Sequence, residues 1–413
     1  MSLFDRFPRV HTTGDKLINA MLINIVLLVT CGTLAVASAS EGQAAVSGSA
    51  FSIMEMQVLW IGVGAIGFWF MMTVPLKAIM RPSLVYVALT CALVLLAYVD
   101  VRGTKVDGAR RWIRMAGLDL QPSELFKIAT VVGLAVLISH FSTVIGNGQR
   151  LIAVLLPIGF GVLLIVGGKD FGTASIVVAI ALMMLYTAGV SSRKLVLTMA
   201  AGVTFFVLAL MTHPFQYVRA RFTAFLHPAQ DTAGAGWQLL QSKIGLGAGG
   251  LFGLGYGHSR EKWGLLPNPH TDFILAIIGE EMGLIGTLVV VGLFVWFLIT
   301  ATKMIQRCPN DVYRLMAVGI TTWITVEAII NIASIVGFWA ITGVPLPFVS
   351  YGGTSLVMEL SAVGLLCNIA KQREAAPPLV LSATLPPFFS FTPRAPHRAA
   401  PPRTPQRPSR PRY

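Results

Sequence analysis

The sequence predicts an all-α fold: a polytopic membrane protein of about ten transmembrane helices, with a large loop between spans seven and eight. Three observations carry this. Hydrophobic residues make up 55% of the chain and charged residues 12%. Mean hydropathy is +0.73, more apolar sequence than a water-soluble core needs. Apolar runs of roughly 20 residues, the length that crosses a bilayer as a helix, recur from end to end. The runs do not alternate apolar and polar residues as the strands of a membrane β-barrel would.

In chain order, residues 1–16 read as a cytoplasmic N-terminal segment and 17–372 as one ten-span membrane domain. The expected spans are 17–39, 57–76, 83–99, 122–140, 151–167, 173–190, 195–212, 271–300, 313–340 and 355–370. The first run is too long for a signal-peptide core and shows no clear cleavage site, so it is kept as a span. Residues 373–413 form a Pro/Arg-rich tail with six arginines and no acid after Glu374. Such a composition cannot bury a core, and the segment is expected to be a disordered cytoplasmic tail. It also accounts for much of the net charge of +13, so no nucleic-acid partner is implied. The cysteines Cys31, Cys91, Cys308 and Cys367 are scattered and have no metal spacing.

Charge sets the orientation. Arg6, Arg9 and Lys16, then Lys77 and Arg81, Arg193 and Lys194, and Lys303, Arg307 and Arg314 all fall on one side if the spans alternate. The positive-inside rule makes that side cytoplasmic, with both termini inside. Two outer connections break the bias. One holds Arg102, Lys105, Arg110, Arg111 and Arg114; the other, about 213–270, holds Arg219, Arg221, Lys243, Arg260 and Lys262. Either something anionic is held there, or these loops translocate regardless of charge. The second loop is also glycine-rich from Gly245 to Gly257. It fits no nucleotide fingerprint and reads as a re-entrant or interfacial segment, with a plain flexible loop as the alternative.

Four polar segments fall on the outer side. The first runs from Gly108 through Arg110 and Arg111 to Glu124 and Lys127, whose spacing of three puts the last two on one helix face. They make an ion pair at the end of span four or line a groove with the arginines. The second is the turn 167–173 with Lys169 and Asp170. The third runs through Pro267, Pro269, His270, Thr271 and Asp272 into an apolar helix carrying Glu280 and Glu281. The fourth, 343–355, passes from prolines through Ser350 to paired glycines. Together they imply a polar cavity opening outward. Arginine and lysine suit a pyrophosphate. A carboxylate at the mouth of a span is costly and is usually kept for function, which makes Asp272 the candidate general base. Glu280 and Glu281 lie about two turns deeper and read as supports. Glu327 and Glu359 are either buried hydrogen-bonding groups or part of a polar core.

The residues also carry a resemblance. Arg111-Trp112, Gln121-Pro122-Ser123-Glu124 with Lys127, Asp170-Phe171-Gly172-Thr173, Gly236-Trp237-Gln238, Gly255-Tyr256-Gly257-His258-Ser259 with Lys262, Leu266-Pro267, His270-Thr271-Asp272-Phe273-Ile274, Gly279-Glu280-Glu281 and Pro347-Phe348-Val349-Ser350-Tyr351-Gly352-Gly353 are similar, in order, to the SEDS family (shape, elongation, division and sporulation). FtsW, RodA and SpoVE belong to that family. The resemblance covers about residues 17–372.

It implies a peptidoglycan glycosyltransferase that polymerises lipid II into undecaprenyl-linked glycan on the outer face of the cytoplasmic membrane. A class B penicillin-binding protein transpeptidase and other division or elongation proteins are the implied partners. Asp272 would deprotonate the acceptor sugar's 4-hydroxyl. Arg110, Arg111, Lys127 and Lys262 would hold the pyrophosphate, while Glu124, Asp170, His270, Thr271 and Ser350 would contribute to substrate binding. A divalent cation, magnesium or manganese, is compatible with this chemistry, but no acidic cluster has a spacing that demands one. The sequence departs from the family pattern at Lys169, where proline is common, at Asn268, where glutamate is frequent, and at Trp339-Ala340, where Leu-Pro is common. Ser38-Ala39-Ser40 and the 343–347 segment lean towards the division branch. A lipid flippase or transporter and a non-catalytic scaffold are the rival readings.

Overall fold

The computed structural model describes residues 13–42, 52–106, 109–115, 118–140, 148–210, 216–231 and 234–372. Residues 1–12 and the Pro/Arg-rich tail from 373 lie outside them. The described helices are α1 (Thr13–Ala39), α2 (Ser52–Thr73), the short α3 (Leu76–Ile79), α4 (Pro82–Arg102), α5 (Pro122–His140), α6 (Gly148–Gly167), α7 (Phe171–Thr187), α8 (Ser192–Leu210), α9 (Gln216–Leu226), α10 (Ala235–Ala248), α11 (Ile274–Gln306), α12 (Asp311–Val336) and α13 (Thr354–Lys371). Every one of the ten apolar runs coincides with a helix. Seven are long and apolar enough to cross a membrane, and Leu151–Gly167 and Phe171–Thr187 are shorter apolar helices.

Local sequence explains several ends. Pro122 opens α5, where its missing N–H costs nothing. The Asp170 carboxylate accepts from Thr173 N at 3.3 Å and caps α7. Asn310 accepts from Val312 N at 2.8 Å and caps α12, which stops at Gly337 in the left-handed region, φ 86°. The expected ninth span therefore ends short of residue 340, and residues 340–353 continue as irregular chain.

The helices form a centre and a rim. In α5, 83% of the apolar window is buried, against 17% in α2. The rim shows apolar side chains outward, such as Ile66, Trp69 and Phe70, which suits lipid. Lipid is as apolar as leucine, so helix contacts here depend on close fit and small residues. A Cβ at Gly364 would lie 2.3 Å from the Phe68 carbonyl, and one at Gly67 would lie 2.4 Å from Ser361 Oγ. These glycines let α2 and α13 touch backbone to backbone.

One feature differs from the sequence reading, and a second bears on an alternative that reading left open. The basic connection before α5 is a three-stranded antiparallel sheet of β1 (Thr104–Val106), β2 (Ala109–Met115) and β3 (Leu118–Leu120). Thr104 pairs with Trp112, and Ile113 pairs with Leu120. The glycine-rich stretch is also more ordered than a plain loop. Gly245 and Gly247 lie inside α10, and the chain from Gly249 to Gly255 docks on a break in α11. At Gly283 the backbone leaves the helix, φ 66° and ψ −164°. Leu254 N and Gly255 N donate to the Glu280 and Glu281 carbonyls at 2.9 and 3.0 Å, and Leu284 N donates to the Gly250 carbonyl at 2.9 Å. The loop thus supplies the partners that the broken helix lacks, as backbone at membrane depth requires. Leu251 and Phe252 at its tip are exposed.

Candidate active site

The site is built at the end of the bundle where α11 begins and α12 ends. Asp272 sits two residues before the helix, in the turn after Asn268, and not within the first helical turn as the 271–300 span implied. Asn268 takes φ 53°, which asparagine tolerates better than most residues. The Thr271 N–H donates to its carbonyl at 3.2 Å. Ser350 Oγ donates to the Thr271 carbonyl at 2.6 Å and accepts from Leu346 N at 2.8 Å. Tyr351 N donates to the His270 carbonyl at 2.9 Å. Asn331 Nδ2, from α12, donates to the carbonyls of Asp272 at 2.9 Å and Val344 at 2.8 Å. Two irregular segments, 268–273 and 341–351, are thereby laced together and fixed to α12.

Gly343 marks what the lacing achieves. Its φ is 74°, and a Cβ there would lie 3.4 Å from Asp272 Oδ2, 3.6 Å from Arg111 Nη1 and 3.7 Å from Arg221 Nη1. One half-buried acid and two guanidinium groups, from three distant parts of the sequence, converge on one point that only glycine leaves open. Arg111, on β2, is steadied by its Nη2 bond to the Lys169 carbonyl at 2.5 Å and by Asp170 at 3.9 Å. Arg221, on α9, donates to the Ile341 carbonyl at 3.0 Å.

The other sequence candidates separate into three groups. Arg110 neighbours Arg111 on the strand, and its guanidinium goes to the end of α4. Its Nη1 donates to the Asp100 and Val101 carbonyls at the end of α4, at 3.0 and 2.7 Å, where a cation is favoured. With Arg111, Ser123 and Asp170 it lines a small cleft that Leu96, Val99, Leu164 and Ile165 also border. Asp170 also accepts from Gln121 Nε2 at 3.1 Å and Thr173 Oγ1 at 2.9 Å.

Glu124 and Lys127 are fully buried and do not reach Asp272 in any contact described. Lys127 Nζ lies 2.9 Å from Glu124, and 2.9 and 3.0 Å from the two oxygens of Glu327 on α12. Trp323 Nε1 donates to Glu327 at 2.5 Å. Ser355 bridges Glu124 and Glu359 at 3.1 and 2.8 Å, and Glu359 accepts from Phe348 N at 2.8 Å. The ion-pair reading of Glu124 and Lys127 holds, no arginine joins them in a groove among the contacts described, and Glu327 and Glu359 belong to the same polar core.

Lys262, Glu280 and Glu281 make the third group. Lys262 Nζ donates to Glu41 at 2.5 Å, the Gly257 carbonyl at 2.7 Å and Ser38 at 3.2 Å, with Glu281 at 3.6 Å. Glu280 accepts from Arg260 N at 2.9 Å and Ser259 Oγ at 2.5 Å. Burial first, and the Glu280 carboxylate second, raise the Glu261 carboxyl to about 7. Among the described residues no three of His, Cys, Asp and Glu are placed to hold a metal ion. His270 is buried, stacks edge-on to Tyr351 at 5.6 Å, and its Nδ1 has no hydrogen-bond partner among the described residues. Burial lowers its pKa to about 4, so it is a neutral wall of the Asp272 turn at physiological pH.

Arg221, Gly343 and Asn331 were not singled out as site residues from the sequence. Arg221 was one of ten unordered basic residues in the outer connections. Asn331, a polar side chain within an apolar run, carried the clearer signal.

Comparison with known proteins agrees in extent and fold. Residues 19–375 match the FtsW/RodA/SpoVE cell cycle protein family model. The probable peptidoglycan glycosyltransferase FtsW of Trichlorobacter lovleyi is 36% identical over 365 residues, 86% of this chain and 94% of the relative. Stage V sporulation protein E of Bacillus subtilis is 34% identical over 353 residues, 85% of this chain and 96% of that protein. Among solved structures, a chain from a peptidoglycan synthase complex that coordinates polymerization and crosslinking superposes with a TM-score of 0.70 at 26% identity, covering 86% of this chain and 97% of that one. The rod shape determining protein RodA of Thermus thermophilus, at 23% identity and a TM-score of 0.62 over 86% of this chain and 96% of its own, shares the fold. A match over most of the chain, with relatives above 30% identity along nearly their whole length, shows that this chain belongs to the FtsW/RodA/SpoVE family.

Proposed function

We propose that this chain is a membrane-embedded peptidoglycan glycosyltransferase that polymerises lipid II in cell division or elongation, with Asp272 as general base. The observation that carries this is the meeting of Asp272 Oδ2 and Arg111 Nη1 at Gly343. Asp272 takes the proton of the acceptor sugar's 4-hydroxyl. That oxygen bonds to the donor's anomeric carbon as the bond to the lipid pyrophosphate breaks, and the electron pair leaves with the pyrophosphate. Arg111, held at Lys169 and Asp170, offsets the charge on the leaving group as it develops. Burial of His270 and the ties through Asn331 and Ser350 hold the base in place, which reduces the loss of freedom at reaction.

The relatives' names and the complex-derived neighbour support this reading, with a class B penicillin-binding protein as the cross-linking partner. The site faces outward across the cytoplasmic membrane with both termini inside, an orientation supported by the basic clusters at the opposite helix ends. The test is polymer formation from lipid II in liposomes with the candidate transpeptidase present. The wild-type protein is expected to make glycan polymer and Asp272→Ala none. Equal polymer from both would remove Asp272 from the mechanism. Lipid II translocation with no polymer under any condition would favour a flippase, and a normally complementing Asp272→Ala strain would favour a scaffold.

A further inference from the structure

The ten basic residues that break the charge bias of the outer connections do not share one role. Arg110 caps α4, Arg114 pairs with Asp119 at the surface, and Lys262 is enclosed by Glu41 and Glu281. Only Arg111 and Arg221, of those placed by a contact described here, bring a guanidinium nitrogen to the point faced by Asp272. They arrive from separate elements, Arg111 on β2 and Arg221 on α9, and each donates to a backbone carbonyl. A guanidinium presents five donors in a planar fork, a shape that matches phosphate oxygens.

We infer that Arg221 is a positioning residue for the substrate. It forms with Arg111 a two-arginine clamp for the pyrophosphate of the lipid-linked donor, with Gly343 as its floor. This rests on the proposed function, and it replaces Lys127 and Lys262 in the pyrophosphate role that the sequence suggested for them. The geometry explains three otherwise separate facts. Gly343 has φ 74°, and any side chain there would occupy the space between the three charged groups. The segment 341–344 is tied to α9 by Arg221 and to α12 by Asn331. Helix α9 also meets the 337–344 segment through the Phe222–Trp339 edge contact at 6.4 Å.

The test uses the full chain in detergent micelles, titrated with farnesyl pyrophosphate and with farnesol. Both probes carry the same prenyl chain, and the ratio of their Kd values isolates recognition of the pyrophosphate. Wild type is expected to prefer the pyrophosphate strongly, and Arg221→Gln to lose about tenfold of that preference, the scale of one charge-assisted contact. Arg221→Lys is expected to fall between them, keeping the charge without the fork; it also serves if Arg221→Gln fails to fold. A variant that only loosens α9 weakens both probes alike and leaves the ratio unchanged. An unchanged ratio in a folded Arg221→Gln variant therefore overturns the clamp, as does a wild type that does not distinguish the probes. Failure of the glycosyltransferase reading looks different: the ratio responds to Arg221, yet no polymer forms from lipid II.

Discussion

Three single residues show how backbone and charge shape the site. Lys169 has φ 63°. A proline there, which the family resemblance leads one to expect, is locked near −65° and cannot adopt that conformation. The departure at this position is therefore a change of backbone, and it places the carbonyl that receives Arg111. His270 shows the effect of burial on charge. Its pKa lies at about 4, below the ordinary 6.5, so between those values the unfolded chain binds the proton that the folded chain refuses. Its stabilising effect is fully present above pH 6.5 and is lost as pH falls from 6.5 towards 4. Melting curves across that window should show wild type losing on the order of 3 kcal/mol that a His270→Gln variant does not lose. Parallel pH profiles would contradict this. Asp272 was legible in the sequence because a carboxylate at the mouth of an apolar run has few bland explanations. Arg221 was not legible, since its partners lie at Ile341 and Gly343, well over a hundred positions away, and only tertiary packing selects one arginine from many.

At the scale of elements, the apolar runs gave the helices because length and uniform hydropathy leave a membrane-spanning segment little choice. The short strands were hidden. Arg110, Arg111 and Arg114 read as a charge cluster, although Asp107-Gly108, a common hairpin dipeptide, stands between the first two strands in sequence. The Gly249–Gly255 segment was legible as unusual but not as a partner of α11, because its register depends on where that helix breaks. Two glycines in it separate strain from space. Gly250 and Gly253 both have positive φ, but a Cβ at Gly253 would lie 2.1 Å from the Glu281 carbonyl oxygen, whereas one at Gly250 meets nothing within 4 Å. Gly250→Ala is expected to cost about 1 kcal/mol in thermal stability, the strain alone. Gly253→Ala should cost clearly more, roughly 2–4 kcal/mol with the clash added. Equal losses would show that the loop is not docked on the break.

For the whole molecule, the buried cluster around Lys127 joins α5, α12 and α13 through charge in place of apolar contact. Removing the lysine leaves Glu124, Glu327 and Glu359 close together without their shared cation. Lys127→Met should therefore lower stability by about 3–5 kcal/mol, read as a fall in melting temperature, and Lys127→Met combined with Glu327→Gln should recover part of it. A single variant as stable as wild type would show that the cluster contributes little. The sequence placed Glu124 and Lys127 on one face correctly. It could not show that the face turns inward to α12, because both the groove and the core reading satisfy the same spacing.

The break in α11 has a mechanical consequence for the site. The segment Ile274–Met282 shares its hydrogen bonds at its far end with the 250–255 chain, and Glu280 and Glu281 are gripped by Ser259, Arg260 and Ser38. The remainder of α11, from Leu284 on, runs down the bundle as an ordinary rod. The short half is therefore held at both ends, by the 250–255 chain at the break and by Asn331 and Ser350 at the turn that carries Asp272. The break at Gly283 and the turn that holds the carboxylate are thus the two ends of one short rigid rod, Ile274 to Met282, so the loop that completes the break also sets the end from which Asp272 projects.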